Sequence, residues 1–224
     1  MYISSLMIFA CVNIIAVAGL VLLTGYTGIF SIGHAGFLAV GGYAAVILFK
    51  HFGVPFLPAL LCGGICAVIV SVIIGYPALR NKMAGDAFAI VMLGFVAVVR
   101  ITISNIYPFF EGAHGISDIP RLTTIWTVLP ITVIMVWLMR NFLKSHYGKN
   151  CIAINQQELA AEMVGVDTVK AKLIALMISA FYGGISGGLF SFFATYIAPT
   201  TFAEAKSDDL LAAVVLGGMC SLSG

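Results

Sequence analysis

The sequence predicts an all-α membrane protein, a polytopic helical bundle of about seven transmembrane spans. Of its 224 residues, 61% are hydrophobic and only 9% are charged. Soluble domains average about 45–50% apolar and about 25% charged residues, so this composition excludes a soluble globular domain and a disordered chain. The apolar residues fall in runs of about 20, the length that crosses a bilayer. Because backbone groups in hydrocarbon must be paired internally, each run is predicted to be a helix.

The first run covers residues 3–23 and ends at a predicted break over 25–28. The second run, 29–49, is rich in small residues, and its glycines predict a broken or re-entrant element. Asp208 and Asp209 are expected to cap the seventh run, which ends near Gly217 and Gly218. The runs between them cover residues 56–79, 87–107, 125–139 and 173–197. We treat residues 1–224 as one transmembrane domain with a long polar loop over 141–172.

Basic residues predict the orientation of this bundle, because Lys and Arg accumulate in cytoplasmic loops. Five of the eleven basic residues lie in the 141–172 loop or at its edges. They are Arg140, Lys144, Lys149, Lys170 and Lys172. The loop is therefore expected in the cytoplasm, and alternation places the N-terminus outside and the C-terminus inside.

A short amphipathic helix is predicted inside that loop, over residues 153–165. Leu159, Met163 and Val166 form an apolar stripe at helical spacing. Glu158 and Glu162 lie on the polar side, and Gly165 stands where a helix C-cap is expected. A helix that lies on lipid carries basic residues on its polar face. The acidic face favours docking onto a protein partner.

Five stretches of the chain are similar to one family. The pattern of Glu158, Ala160, Ala161 and Gly165 resembles the coupling motif of ABC importer permeases. The other four stretches cover residues 25–35, 85–95, 115–120 and 217–224, and they resemble, in family order, segments of LivM-type permeases of branched-chain amino acid importers. Two positions depart from the pattern, because Ala97 replaces a common acidic residue and His114 a common Asn. Relatives usually continue past Gly224, so the chain is expected to be incomplete at its C-terminus.

The resemblance implies a multi-pass permease subunit of the bacterial inner membrane that transports leucine, isoleucine and valine. It implies as partners ABC ATPase subunits, a second homologous permease subunit and an extracytoplasmic solute-binding protein, in addition to the lipid bilayer. The residues that it assigns to ATPase coupling are Glu158, Ala160, Ala161, Glu162 and Gly165. An ABC permease for urea or short amides, and a self-contained channel for a small neutral solute, remain alternatives; the channel predicts no ATPase partner.

Polar residues within the apolar runs are candidates for the translocation path, because burying an ionisable group in a membrane is costly. The candidates are Ser31, His34, Arg100 and Asn105. Arg100 has the alternative of extending its side chain to the membrane surface, and His34 has the alternative of a structural role in packing.

Glycines in the sixth run predict close helix packing. Two small-residue motifs overlap there, Gly183 with Gly187 and Gly184 with Gly188. Glycines four residues apart let two helix backbones approach each other closely. Packing is therefore the role that we assign to these four residues.

Two motifs of catalysis are absent from the sequence: the phosphate-binding G-x-x-x-x-G-K-[ST] motif and the H-E-x-x-H motif. No C-x-x-C pair suggests a metal site, and the net charge of +2 does not favour a nucleic-acid partner. We therefore expect a transport subunit without cofactors rather than an enzyme, with ATP hydrolysis in a partner chain.

Overall fold

The computed structural model describes residues 2–81, 85–106 and 112–218. Within these ranges the chain forms nine α-helices and no named strand, which confirms the all-α prediction. The helices are α1 (Tyr2–Leu20), α2 (His34–Phe52), α3 (Phe56–Arg80), α4 (Gly85–Asn105), α5 (Ile125–Lys144), α6 (His146–Gln156), α7 (Glu158–Met163), α8 (Thr168–Ala194) and α9 (Glu204–Gly217).

Six segments of the described chain are long and apolar enough to cross a membrane: α1 with its extension to Tyr26, α2, α3, α4, α5 and α8. The predicted seventh run forms α9, which has only 14 residues and is shorter than the roughly 20 that a span needs. Seven spans and their orientation stay predictions. The prediction that Asp208 and Asp209 cap this helix is wrong, because α9 already begins at Glu204 and both residues lie inside it.

Helix α8 forms the centre of the bundle and packs against α1, α2 and α3. Its 27 residues give a length of about 40 Å. A Cβ on Gly184 would lie 2.9 Å from Gly64 Cα in α3, and one on Gly187 would collide with the Leu38 carbonyl in α2. The backbones of these helices therefore touch, and only glycine fits between them.

The second predicted element differs from the expectation, because α2 is one continuous helix from His34 to Phe52. Its glycines do not break it. Gly41 and Gly42 lie against Gly184, Gly187 and Ser191 of α8, so they serve helix packing. The irregular backbone lies before the helix instead.

We call residues 21–33 the break segment. The last turns of α1 widen into a π-helix over Val21–Tyr26, and residues 27–33 have no regular structure although most of them are buried. Its carbonyl oxygens find other donors: the Thr27 hydroxyl donates to Leu22 O at 2.9 Å, and Ile29 N donates to Leu23 O at 3.1 Å. Irregular backbone at membrane depth is stable only where the protein satisfies it in this way.

The bundle has two ends, which we name by what lies there. At the loop end, residues 112–123 meet residues 195–203 through an antiparallel bridge between Ile116 and Ile197. The other end carries α6 and α7 and is called the α7 end. The single helix predicted over 153–165 is in fact two, because Gln157 adopts an extended conformation between α6 and α7.

Helix α8 begins at Thr168, five residues before the predicted run. The Asp167 side chain caps this helix by accepting a hydrogen bond from Lys170 N at 3.1 Å.

Candidate functional site

His34 is the first residue of α2 and lies inside the bundle rather than at its surface. It is fully buried, and neither ring nitrogen makes a well-formed hydrogen bond among the described residues, although the Ala16 backbone interacts with the ring. The Nε2 atom lies 3.3 Å from the position that a Cβ on Gly19 would occupy and 3.5 Å from the one on Gly183. The imidazole is thus held between α1 and α8, where both helices have glycine.

The N-terminus of α2 therefore starts within the bundle, and a distant residue caps it. Ala35 N donates to the Ser207 hydroxyl of α9 at 2.9 Å, and Ser207 is itself buried. Ser31, three residues before His34, accepts a hydrogen bond from Gly33 N at 3.3 Å. Membrane transporters build solute sites where helices begin at membrane depth, because backbone N–H groups are exposed there.

Two further buried hydroxyls lack partners among the described residues, Thr24 Oγ1 and Ser179 Oγ. Thr24 belongs to the break segment, and Ser179 lies on α8 one turn from Gly183. A buried polar group without a partner costs about 1–3 kcal/mol. With His34, these hydroxyls supply polar groups on α1, α2 and α8 that this closed packing leaves unsatisfied.

A cavity of about 290 Å³ opens at the α7 end. Its apolar wall includes Ile29, Leu79 and Phe88, and its polar wall is formed by two interactions between α7 and α8. Lys172 Nζ lies 2.5 Å from Glu158 Oε1, and the Thr168 hydroxyl donates to Glu162 Oε1 at 2.9 Å. Gly28 of the break segment also lines this cavity.

The structure brings Ser31 and His34 together but not the other two path candidates. Met92 of α4 packs against Gly33, and Arg100 lies eight residues farther along that helix, about 12 Å away. Asn105 is the last residue of α4 and is exposed. Arg100 and Asn105 thus lie toward the loop end, away from His34.

The α7 helix presents a different face from the one that its pattern suggested. Leu159, Met163 and Val164 are 73%, 90% and 84% exposed. Ala161 is buried and packs with Ile154 of α6 and Ala171 of α8. Val166, predicted to share the apolar stripe with Leu159 and Met163, packs toward this inner cluster.

Gly165 terminates α7 with a φ of +89°. Gly165 N donates to Glu162 O at 2.9 Å, and Val166 N donates to Ala161 O at 3.0 Å. This pair of hydrogen bonds, with the apolar contact between Val166 and Ala161, is a Schellman motif. The termination fixes how far the exposed tip of α7 projects from the bundle.

Sequence reasoning missed two residues that join distant elements, Asn155 and Ser207. Asn155 Nδ2 donates to Gly25 O of the break segment at 2.6 Å. Both residues lie in polar stretches where any hydrophilic side chain is expected. Their partners are 130 and 172 residues away in sequence, so no local pattern could have indicated them.

Residues 2–224 match the family described as branched-chain amino acid transport system / permease component. Two curated relatives are the high-affinity branched-chain amino acid transport system permease proteins LivM of Salmonella typhimurium and of Escherichia coli. Each is 30% identical over 94% of this chain and 57% of its own length. A third relative is the guanosine ABC transporter permease protein NupQ of Bacillus subtilis, which is 24% identical over 74% of this chain and 59% of its own length.

The chain therefore spans little more than half the length of these curated relatives. No solved structure matches it.

Proposed function

We propose, from the premise that this chain belongs to the family of branched-chain amino acid transport permease components, that it acts as a multi-pass permease subunit of an ABC importer in the inner membrane. The observation that carries the proposal is the match over residues 2–224. The relatives named LivM support leucine, isoleucine and valine as the solutes.

The proposed site of ATPase docking is α7. Its exposed residues Leu159, Met163 and Val164 form an apolar tip at a bundle end whose loop carries the predicted cytoplasmic charges. Ala160 is also exposed and belongs to the contact surface. Ala161 and Gly165 act indirectly, since one seats the helix and the other ends it. Glu158 and Glu162 hold the helix on α8.

The proposed path runs along the α1–α8 interface from His34 to the cavity at the α7 end. Its polar groups are His34, Ser31, Thr24 and Ser179. In the closed packing most of them lack partners, and opening would give them water or the polar groups of the solute. An ATP-driven change of state supplies this opening, because the ATPases bind the two states with different affinity. Arg100 and Asn105 would line the outer part of the path.

The remaining partners come from the same proposal. A second homologous permease subunit completes the membrane part, and an extracytoplasmic solute-binding protein delivers the amino acid at the loop end. Since NupQ is named for guanosine, the family includes permeases of other solutes, and the substrate needs its own measurement.

The test uses the full-length permease copurified with its partners and reconstituted in proteoliposomes. We expect ATP-dependent uptake of labelled leucine, with valine and isoleucine as competitors and urea and guanosine without effect. Met163→Glu should abolish ATPase copurification, because it places a charge on the apolar tip. Gln156→Glu adds the same charge to an exposed residue off the tip and should retain it. Uptake that needs neither ATP nor an ATPase would overturn the proposal in favour of a channel.

A further inference from the structure

We propose that Asn155 is a positioning residue that ties the docking segment, α6 and α7, to the break segment, so that movement of one displaces the other. This inference rests on the proposed function, because it assigns the route by which an ATPase acts on the path. It concerns a side chain outside the coupling pattern of α7.

The tie is a direct contact between the end of α6 and the backbone of the break segment. Asn155 Nδ2 donates to Gly25 O at 2.6 Å. Gly28 has a φ of +72°, and a Cβ there would lie 2.5 Å from Asn155 Oδ1. The amide of Asn155 therefore occupies the space that this glycine leaves, and it touches the break segment at two points three residues apart.

Cys151 lies one helical turn before Asn155, on the same face of α6. It is buried, and its thiol lies 3.9 Å from Ala171 O of α8. Burial raises the pKa of the Cys151 thiol, and hydrogen bonding with the Thr27 side chain opposes part of that rise. On this face of α6, Asn155 meets Gly25 and Gly28, and Cys151 packs toward α8.

The break segment is suited to transmit this movement. Three hydrogen bonds from outside the regular helical ladder, donated by Thr27, Ile29 and Asn155, reach its carbonyls, and residues 27–33 have no regular structure. The segment leads within six residues from Gly28 to His34, with Ser31 between them. A displacement of Gly25 and Gly28 therefore reaches the proposed path without reshaping α8.

The alternative is that Asn155 only satisfies a carbonyl and that coupling runs through α7 and α8. The contact of α7 with α8 is formed by the pair of Glu158 with Lys172 and by Glu162 with Thr168. Those bonds lead to α8, which is packed backbone to backbone against α2 and α3 at its glycines. The break segment is the more deformable of the two routes.

The first measurement needs no ATPase. In full-length permease whose other cysteines are replaced by alanine, the alkylation rate of Cys151 by N-ethylmaleimide reports the contact between α6 and the break segment. Asn155→Ala should raise this rate about five-fold or more, which is the lower end of the factors typical of coupled sites. Gln156→Ala should leave the rate unchanged. An unchanged rate in Asn155→Ala would show that Asn155 does not hold the contact and would overturn the inference.

The second measurement uses the complete complex and counts ATP hydrolysed per leucine transported. Asn155→Asp keeps the shape but its carboxylate cannot donate to Gly25 O. We expect ATPase copurification as in the wild type, continued ATP hydrolysis, and at least about five-fold less leucine transported per ATP. Gln156→Ala should keep the wild-type ratio.

The two failures are distinguishable. A wild-type permease that binds no ATPase defeats the proposed function, whatever the alkylation rates are. A wild-type complex that transports normally, with an Asn155→Asp complex of equal transport per ATP, defeats only the positioning role of Asn155.

Discussion

The glycine-packed core of α2, α3 and α8 and the break segment hold the chain together in different ways. In the core, backbones touch at Gly184 and Gly187, and no side chain lies between them that could change rotamer. In the break segment, side chains donate to individual carbonyls, and the backbone passes from a π-helix over Val21–Tyr26 into residues without regular structure. Close-packed interiors have few voids and low compressibility, so we expect a change of state in this bundle to involve the break segment.

The difference also separates two kinds of buried polar group. Ser191 and Ser186 in the core donate to Gly187 O and Val12 O at 2.8 and 2.9 Å. Around His34, by contrast, Thr24 of the break segment and Ser179 of α8 have no such partners among the described residues. Full satisfaction fixes one arrangement, whereas unsatisfied groups favour a second arrangement in which they are paired.

The largest effect is expected from a substitution in the glycine-packed core. Gly187→Ala places a Cβ against the Leu38 carbonyl, and neither backbone can move away. Overpacking of this kind costs about 1–3 kcal/mol or more, and each kcal/mol lowers Tm by about 2–4 °C in a chain of this size. We expect a fall in Tm of about 5–10 °C by thermal unfolding in detergent.

Gly94→Ala is the matched control for that substitution. Gly94 also lies inside a membrane helix, but nothing lies within 4 Å of a Cβ placed on it. Alanine there should leave Tm unchanged or raise it, because glycine weakens a helix by about 1 kcal/mol. Equal Tm values for the two variants would mean that the core is not the rigid region.

An intermediate effect is expected from Ser207→Ala. This substitution removes the hydroxyl that caps the N-terminus of α2, directly after the break segment. The lost bond to Ala35 N is buried, and removal of an N-cap costs about 0.5–2 kcal/mol. Tm should fall by roughly 2–5 °C. Ser104→Ala is the control, since Ser104 bonds only to Arg100 O of its own helix and should change Tm little. A smaller fall for Ser207→Ala than for Ser104→Ala would contradict the cap.

Most of the fold could be predicted from the sequence, because hydrophobic runs of span length have few alternatives in a bilayer. The boundaries of α3 and α4 lie within two residues of the predicted runs. The errors fall where local composition and tertiary contact disagree. Glycines in 29–49 suggest a broken helix by propensity, yet Gly41 and Gly42 are packing positions in a continuous helix. Gln157 lies in a helical pattern but is extended, and the pattern has no signal for that turn.

The candidate site was less predictable, because its members come from segments far apart in sequence. A polar residue in an apolar run indicates burial, as it did for Ser31 and His34, but not which polar residues meet. Arg100 and Asn105 are also polar residues in an apolar run, but they lie on α4, toward the loop end and away from His34. The resemblance assigns Ala161 to ATPase coupling, but in the structure its small side chain seats α7 in the cluster with Ile154 and Ala171.

The smallest effect is expected from Glu158→Gln, which removes the ion pair between α7 and α8 without touching the glycine-packed core. The Glu158 side chain is 46% exposed and the Lys172 side chain 18%. A pair with one exposed member contributes about 1 kcal/mol or less, and glutamine can still accept a hydrogen bond from Lys172. The amides of residues 158–166 should therefore exchange with deuterium no more than about five-fold faster. Residues 183–188 should keep their protection, because nothing in the glycine core depends on this pair. The measurement is hydrogen exchange on the full-length permease. Gln156→Ala is the control, because Gln156 is an exposed residue two positions from Glu158 and, being uncharged, forms no ion pair. Faster exchange at residues 183–188 would mean that α7 is anchored in the core itself, and the two regions would then move as one.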